Sequence, residues 1–278
     1  MARVCLGCSR FFVFDARITA IDLPGVDTVL GMAAVSLVFT MFAVGGFAHA
    51  FNIVDGLNGL AGLVAMLILS AIAWVAGEAG DALIRDASLL LAFAVAGFLV
   101  WNTPRARLFL GDGGSYLLGF LIAELAVLLV HRNVQVSPWF ALVALGYPVC
   151  ETLFSGYRRV VYRNASPMKA DGLHLHTLVY KRLFRRKGRD TDVRNALAAL
   201  CVLPLAVITV LAAALFWTNP WALQAAAIAF VCLYLVCYRS LVRFRLPRWV
   251  ASLRKGARGE GARFAVPGPK RPIVIRDR

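Results

Sequence analysis

Arg194 to Trp217 reads RNALAALCVLPLAVITVLAAALFW, a stretch with no charged side chain after its first residue. Its length exceeds the roughly 20 apolar residues that carry a helix across the hydrocarbon core of a bilayer. Similar runs recur, and the sequence predicts seven spans, at 28–50, 59–77, 87–101, 115–130, 137–156, 194–217 and 221–237. Of the 278 residues 60% are hydrophobic and 16% charged, with a mean hydropathy of +0.73. A soluble domain carries about a quarter charged residues. The expected fold class is therefore an all-α polytopic membrane protein with about seven transmembrane helices.

The connections alternate in charge. GEAGDALIRD, after the second span, holds Glu78, Asp81 and Asp86 against Arg85 alone, and TNP, after the sixth, holds no charge. NTPRARLFLGDGG, the loop from Arg158 to Arg194 and the tail from Arg239 onward together contain 25 of the 30 basic residues. By the positive-inside rule these three regions face the cytoplasm of a bacterial inner membrane. The net charge of +15 thus reports orientation in a lipid bilayer. With no basic patch interleaved with aromatics, nucleic acid is excluded as a partner. Six cysteines form no framework, and one CxxC at Cys5 and Cys8 without a second pair makes no zinc site.

Three units are expected: an N-terminal stub and outer-face segment over 1–27, a transmembrane domain over 28–238, and a basic cytoplasmic tail over 239–278. The first is anomalous, because Arg3, Arg10 and Arg17 fall on the outer face. RFFVF at 10–14 reads as the end of a span that begins upstream, so the chain is expected to be N-terminally truncated.

Three polar clusters interrupt the apolar text, all on the predicted cytoplasmic side. In HAFNIVDGLNGLAG, His49 to Gly62, the residues Asn52, Asp55 and Asn58 recur every three positions and point one way on a helical turn. An ordinary Asn/Asp/Gly turn accounts for the same composition. In FLGDGGSYLLGF, Phe109 to Phe120, three glycines predict a flexible loop around Asp112, with Ser115 capping the next helix. Backbone amides there suit phosphate, and a hard carboxylate suits Mg²⁺, which takes one or two carboxylates plus phosphate oxygens. In DGLHLHTL, Asp171 to Leu178, the pair His174 and His176 shares a face only if the segment is extended. No further Cys or His accompanies the pair, so phosphate contact beside Lys169, Lys181 and Arg182 is favoured over zinc. A solvated basic loop is the alternative.

In this order and on one face, NxxDGxNGLAG at 52–62, LGDxGSxxLGF at 110–120 and HxH at 174–176 resemble the polyprenyl-phosphate N-acetylhexosamine-1-phosphate transferase family over roughly 10–240. The resemblance implies transfer of an N-acetylhexosamine 1-phosphate from a UDP-N-acetylhexosamine to polyprenyl (undecaprenyl) phosphate, with release of UMP. It places that reaction at the start of cell-envelope glycan synthesis, in O-antigen, lipopolysaccharide or related cell wall biogenesis. It implies Asp55 and Asp112 as catalytic residues and Asp112 as the ligand of Mg²⁺, with Mn²⁺ as an alternative ion. Asn52, Asn58 and Asn102 then belong to the nucleotide and metal cleft, Phe109 stacks on uracil, and His174 and His176 contact phosphate or sugar. The resemblance also admits a homodimer.

The sequence departs from that family in three ways. His49 stands where Asn is usual, Thr177 where a further His often follows, and no two acidic residues are adjacent anywhere in the chain. The family has an adjacent aspartate pair in an earlier cytoplasmic loop. This chain alone is accordingly expected not to catalyse transfer, and an inactive remnant or membrane scaffold of the same family is the alternative. Glu124 and Glu151, inside predicted spans, are the residues a secondary transporter would use. A transporter, however, concentrates its polar groups at the midplane rather than in loops. The form of the third cluster favours a GlcNAc-like or modified hexosamine over a muramyl-pentapeptide donor. Single cysteines placed at positions 55, 112 and 174 are expected to resist a membrane-impermeant thiol reagent applied to intact cells and to react once the membrane is opened. External labelling at any one of them overturns the topology.

Overall fold

The computed structural model describes residues 16–163, 173–184 and 190–242. The features read at Cys5, Cys8, RFFVF, Lys169, Asp171 and beyond Val242 lie outside the described residues. Among those described, every regular element is helical: α1 (Val26–Leu30), α2 (Ala33–Val54), α3 (Leu60–Glu78), α4 (Ala82–Asn102), α5 (Gly111–Arg132), α6 (Pro138–Ala144), α7 (Gly146–Arg163), α8 (Leu175–Val179), α9 (Thr191–Phe216) and α10 (Pro220–Val242). A π-helical turn, Tyr180–Phe184, follows α8. The helices α2, α3, α4, α5, α9 and α10 are each long and apolar enough to cross a membrane. The protein is a multi-span membrane protein.

The central helix is α3. Leu60, Val64, Ala65, Ile68, Leu69, Ile72, Val75 and Ala76 are all at most 1% exposed, so most of its surface is covered, chiefly by α4, α5 and α9, while Trp74 stays exposed. In lipid there is no hydrophobic drive between helices, and close van der Waals packing through small residues takes its place. Gly62 illustrates this: a Cβ there would stand 2.6 Å from Leu99 Cδ2 of α4. The outer helices α4 and α10 are only 22% buried along their spanning windows. Their exposed leucines, phenylalanines and tryptophans suit acyl chains.

Two expected spans differ from the observed helices. The fifth, 137–156, is a broken pair, α6 and α7, bent by 71° at Leu145. Pro148 has no N–H to return to the Ala144 carbonyl and its ring would crowd that oxygen, so a continuous helix cannot run through this point. The first was placed at 28–50, whereas the chain breaks after α1 and α2 runs from Ala33 to Val54. That offset carries Asn52 into the last turn of a helix instead of a loop.

At one end of the bundle the connection after α3 meets the end of α5. Asp81 caps α4 by accepting from the Ile84 amide, and takes the Arg132 guanidinium at 2.6 Å and the Asn133 amide at 3.2 Å. Burial alone would raise the Asp81 carboxyl, but the hydrogen bond from Arg132 overrides it and holds it below the ordinary carboxylate range. The clamp is therefore complete at neutral pH and is lost as acid protonates Asp81. Asp81→Ala removes the cap and leaves Arg132 without this carboxylate. We expect a loss of about 1–2 kcal/mol, read as a lower thermal midpoint in detergent.

Candidate functional site

The site starts where α2 and α5 touch backbone to backbone. A Cβ on Gly119 would lie 2.8 Å from Phe51 Cβ and 3.0 Å from Ala48 Cα, space that only glycine leaves. This contact brings the last turn of α2 against the first turn of α5. Asn52 Nδ2 donates to Asp112 Oδ1 at 3.1 Å and to Ser115 Oγ at 2.7 Å, and Ser115 Oγ donates to the Asp112 carbonyl at 3.1 Å. The loop expected around Asp112 is thus helix, beginning at Gly111. Ser115 is buried inside that helix and not its cap, because it is tied down from α2. One turn along the same seam, His49 Nδ1 lies 3.2 Å from the Tyr116 hydroxyl, the two rings nearly parallel.

Asp55 ends α2 and faces the same space. Its carboxyl is pushed up to about 6, first by burial and then by the negative charge of Asp112. Two carboxylates from different clusters therefore converge and repel each other.

The turn that follows is built by the asparagines. Gly59 has φ +82°, a conformation that favours glycine, and its N–H donates to Asn102 Oδ1 at 2.6 Å. The Asn102 amide donates in turn to the Leu108 carbonyl at 2.8 Å. Asn58 donates to the Pro104 carbonyl at 3.4 Å and accepts from Asn195 of α9 at 3.1 Å. Asn58 and Asn102 are both buried. They hold the 55–59 turn against the 103–110 segment, a scaffolding use of residues that the family pattern implied as cleft contacts. Phe109, on that segment, is 72% exposed with its ring clear of the core.

The third cluster closes on the first. His174 is the extended residue before α8, His176 lies within it, and the rings stack in parallel with centroids 5.5 Å apart. A shared face thus arises at a helix start, without the extended run that the i, i+2 spacing requires. The edge of the His176 ring lies against Gly56, where a Cβ would stand 2.7 Å from Nε2. Burial pushes the His176 imidazole down to about 4, against the pull of Glu151 and with the help of His174, so the ring is neutral at neutral pH. Behind the pair lies Glu151 of α7, 1% exposed. Its Oε1 accepts from the Leu175 amide at 2.7 Å and lies 3.4 Å from His174 Nδ1.

Asn52, Asp55, Asp112 and His176 are therefore assembled at one end of the bundle, with Asn58 and Asn102 beneath them, Phe109 on the 103–110 segment and His174 behind His176. Sequence reasoning missed Ser115 as a partner of Asn52, Asn195 and the place of Glu151. A lone carboxylate in an apolar run was the available signal for the last. A groove of about 1050 Å³ runs beside the histidines between α6, α7 and α10. Its walls include Leu142, Val149, Leu153, Phe230 and Val231, and Arg158, Arg182 and Arg239 join Leu173 and Leu178 in lining it.

Comparison with known proteins bears on what this arrangement is. Residues 2–130, which hold the first two clusters, match the model of glycosyl transferase family 4. An undecaprenyl-phosphate alpha-N-acetylglucosaminyl 1-phosphate transferase of Thermotoga maritima is 32% identical over 155 residues, 56% of this chain and 47% of the relative. A phospho-N-acetylmuramoyl-pentapeptide-transferase of Staphylococcus carnosus is 32% identical over 136 residues, 49% and 40% respectively. Another of that name, from Anoxybacillus flavithermus, is 34% identical over 118 residues, 42% and 36%. The chain spans less than half the length of these relatives, and no solved structure matches it. Segment 2–130, which carries the first two motifs, is thus similar to glycosyl transferase family 4.

Proposed function

We propose that this chain carries the donor-binding and transfer residues of a polyprenyl-phosphate N-acetylhexosamine-1-phosphate transferase acting at the cytoplasmic face of a bacterial plasma membrane. The observation that carries the reading is the meeting of Asp55 and Asp112, from separate clusters, under His176 from a third. In the proposed reaction an oxygen of the lipid phosphate attacks the donor phosphorus that bears the sugar. The bond from that phosphorus to the bridging oxygen breaks, and UMP leaves with the bridging oxygen and its electron pair. The product is a polyprenyl diphosphate sugar.

Among the described residues no group of three or more His, Cys, Asp and Glu side chains is placed to hold a metal. That fits Mg²⁺ or Mn²⁺ held by one or two carboxylates and completed by the donor's phosphate oxygens. The raised Asp55 carboxyl is the second sign, since a divalent cation relieves the repulsion that Asp112 imposes on it. Asp112, with Asp55, is the proposed ligand set. When bound, such a cation neutralises the charge on the diphosphate oxygens. The chain's own groups do the rest. Asn52 fixes the Asp112 carboxylate by its 3.1 Å hydrogen bond, and neutral His176 offers a ring nitrogen to phosphate or sugar hydroxyl. Phe109 presents an exposed face on which a uracil can stack.

The groove between α6, α7 and α10 supports the acceptor side of the reading. An apolar trough with arginines in its lining beside the histidine segment suits a polyprenyl chain that carries a phosphate at one end. The donor sugar is proposed as a GlcNAc-like hexosamine, serving cell-envelope glycan assembly.

The test uses the chain in lipid nanodiscs with undecaprenyl phosphate, Mg²⁺ and UDP-GlcNAc or UDP-GalNAc. UDP binding is followed by calorimetry and UMP release by chromatography. UDP is expected to bind only with the divalent cation present, and Asp112→Asn to weaken that binding about tenfold or more. Metal-independent binding with an unchanged Asp112→Asn affinity overturns the reading. A second expectation concerns Phe109. Phe109→Ala should weaken UDP but leave inorganic diphosphate binding unchanged, with a loss of about 1–3 kcal/mol in the nucleotide alone.

A further inference from the structure

Glu151 sits in the second turn of α7, inside an apolar run, at 1% exposure. A carboxylate taken that far from water costs several kcal/mol unless its oxygens are hydrogen-bonded. Its Oε1 is engaged: it accepts the Leu175 N–H at 2.7 Å. The same oxygen lies 3.4 Å from His174 Nδ1. Leu175 stands between the two histidines, so one oxygen grips the main chain at the point from which both imidazoles project. The rings stack in parallel at 5.5 Å. His176, fixed from behind in this way, meets Gly56 on its other edge, next to Asp55. A relay of contacts thus runs from a buried carboxylate in α7, through the histidine pair, to the carboxylate site at the end of the bundle. A second main-chain anchor on the segment, the Tyr238 hydroxyl donating to the Leu173 carbonyl at 3.3 Å, precedes both rings in the sequence.

We infer that Glu151 is a positioning residue of the site: it grips the Leu175 amide and so seats the His176 ring over Gly56 beside Asp55. The importance of His176 for the ligand rests on the function proposed above; the seating does not. The grip needs an acceptor oxygen at this reach. Glutamine keeps that oxygen, aspartate withdraws it by one methylene, and alanine removes it.

Two readouts separate the claims in the full chain in nanodiscs. The first is carbethoxylation of His176 by diethyl pyrocarbonate, followed by peptide mass spectrometry. The second is the Kd of UDP with Mg²⁺. His176, only 3% exposed, should react slowly in the parent chain. Glu151→Ala and Glu151→Asp should raise its reactivity about fivefold or more and weaken UDP about tenfold, while Glu151→Gln returns both to within about threefold of the parent. Tyr238→Phe should leave His176 reactivity near the parent value. Parent-like His176 reactivity in both Glu151→Ala and Glu151→Asp overturns the inference, as does a Glu151→Gln chain that behaves like Glu151→Ala. If Glu151→Ala fails to insert, the Asp and Gln variants carry the same comparison. If UDP binds no form of the chain but His176 reactivity follows this order, the seating stands and the donor reading falls.

Discussion

Two helices that touch without side chains between them are what everything at the polar end of this bundle depends on. Because Gly119 adds nothing to the α2–α5 seam, Ala48 and Phe51 come within van der Waals distance of the α5 backbone. Asn52, at the end of α2, can then reach the first turn of α5. Its amide bonds Asp112 and Ser115 together, so the aspartate sits on helical backbone instead of a glycine loop. Hydrogen bonds between membrane helices are individually modest, about 0.6 kcal/mol on average where measured. Their value here is geometric, since they fix the carboxylate relative to Asp55.

Much of this was legible in the sequence because hydrocarbon is an unforgiving solvent. Length and apolarity alone specify helices there, since every backbone polar group must be satisfied within its own segment. The three clusters stood out for the same reason: Asn, Asp and His are costly in such text and persist only where they are used or wetted. Less was legible where the outcome depended on tertiary contact. Nothing in LGDGGS says that it is helix, because three glycines lower the propensity and the start is imposed by Asn52 from another helix. The asparagines at 58 and 102 carry a cleft role by resemblance to the family; their amides also bond the backbone of a turn, which residue type alone does not reveal. Glu151 entered the sequence reading only as a residue that the disfavoured transporter would use, because a lone carboxylate in a span has no visible partner. Its partner, an amide 24 residues further on, belongs to a segment that packs back against α7.

The two ends of the bundle show opposite uses of charge. Around Asp81 a carboxylate is neutralised by Arg132 and locks a connection. Around Asp55 burial and the charge of Asp112 raise the carboxyl instead. One end is a neutralised clamp; the other holds two carboxylates that repel. The bend at Leu145 contributes to the second end, because turning α7 by 71° opens the trough that runs up to the histidine segment.

That trough has walls that are not sealed. Leu142, Leu153, Val231 and Val242 line it and are each 44% exposed or more, so an apolar occupant can slide in sideways, from among the lipids. For such a molecule the aqueous concentration is irrelevant. What the protein samples is a mole fraction in a two-dimensional fluid, and diluting the membrane with inert phospholipid would starve the groove while the total amount per volume stayed constant. Saturation curves would then collapse onto one another only when plotted against surface composition, a behaviour that follows from the exposure of those walls.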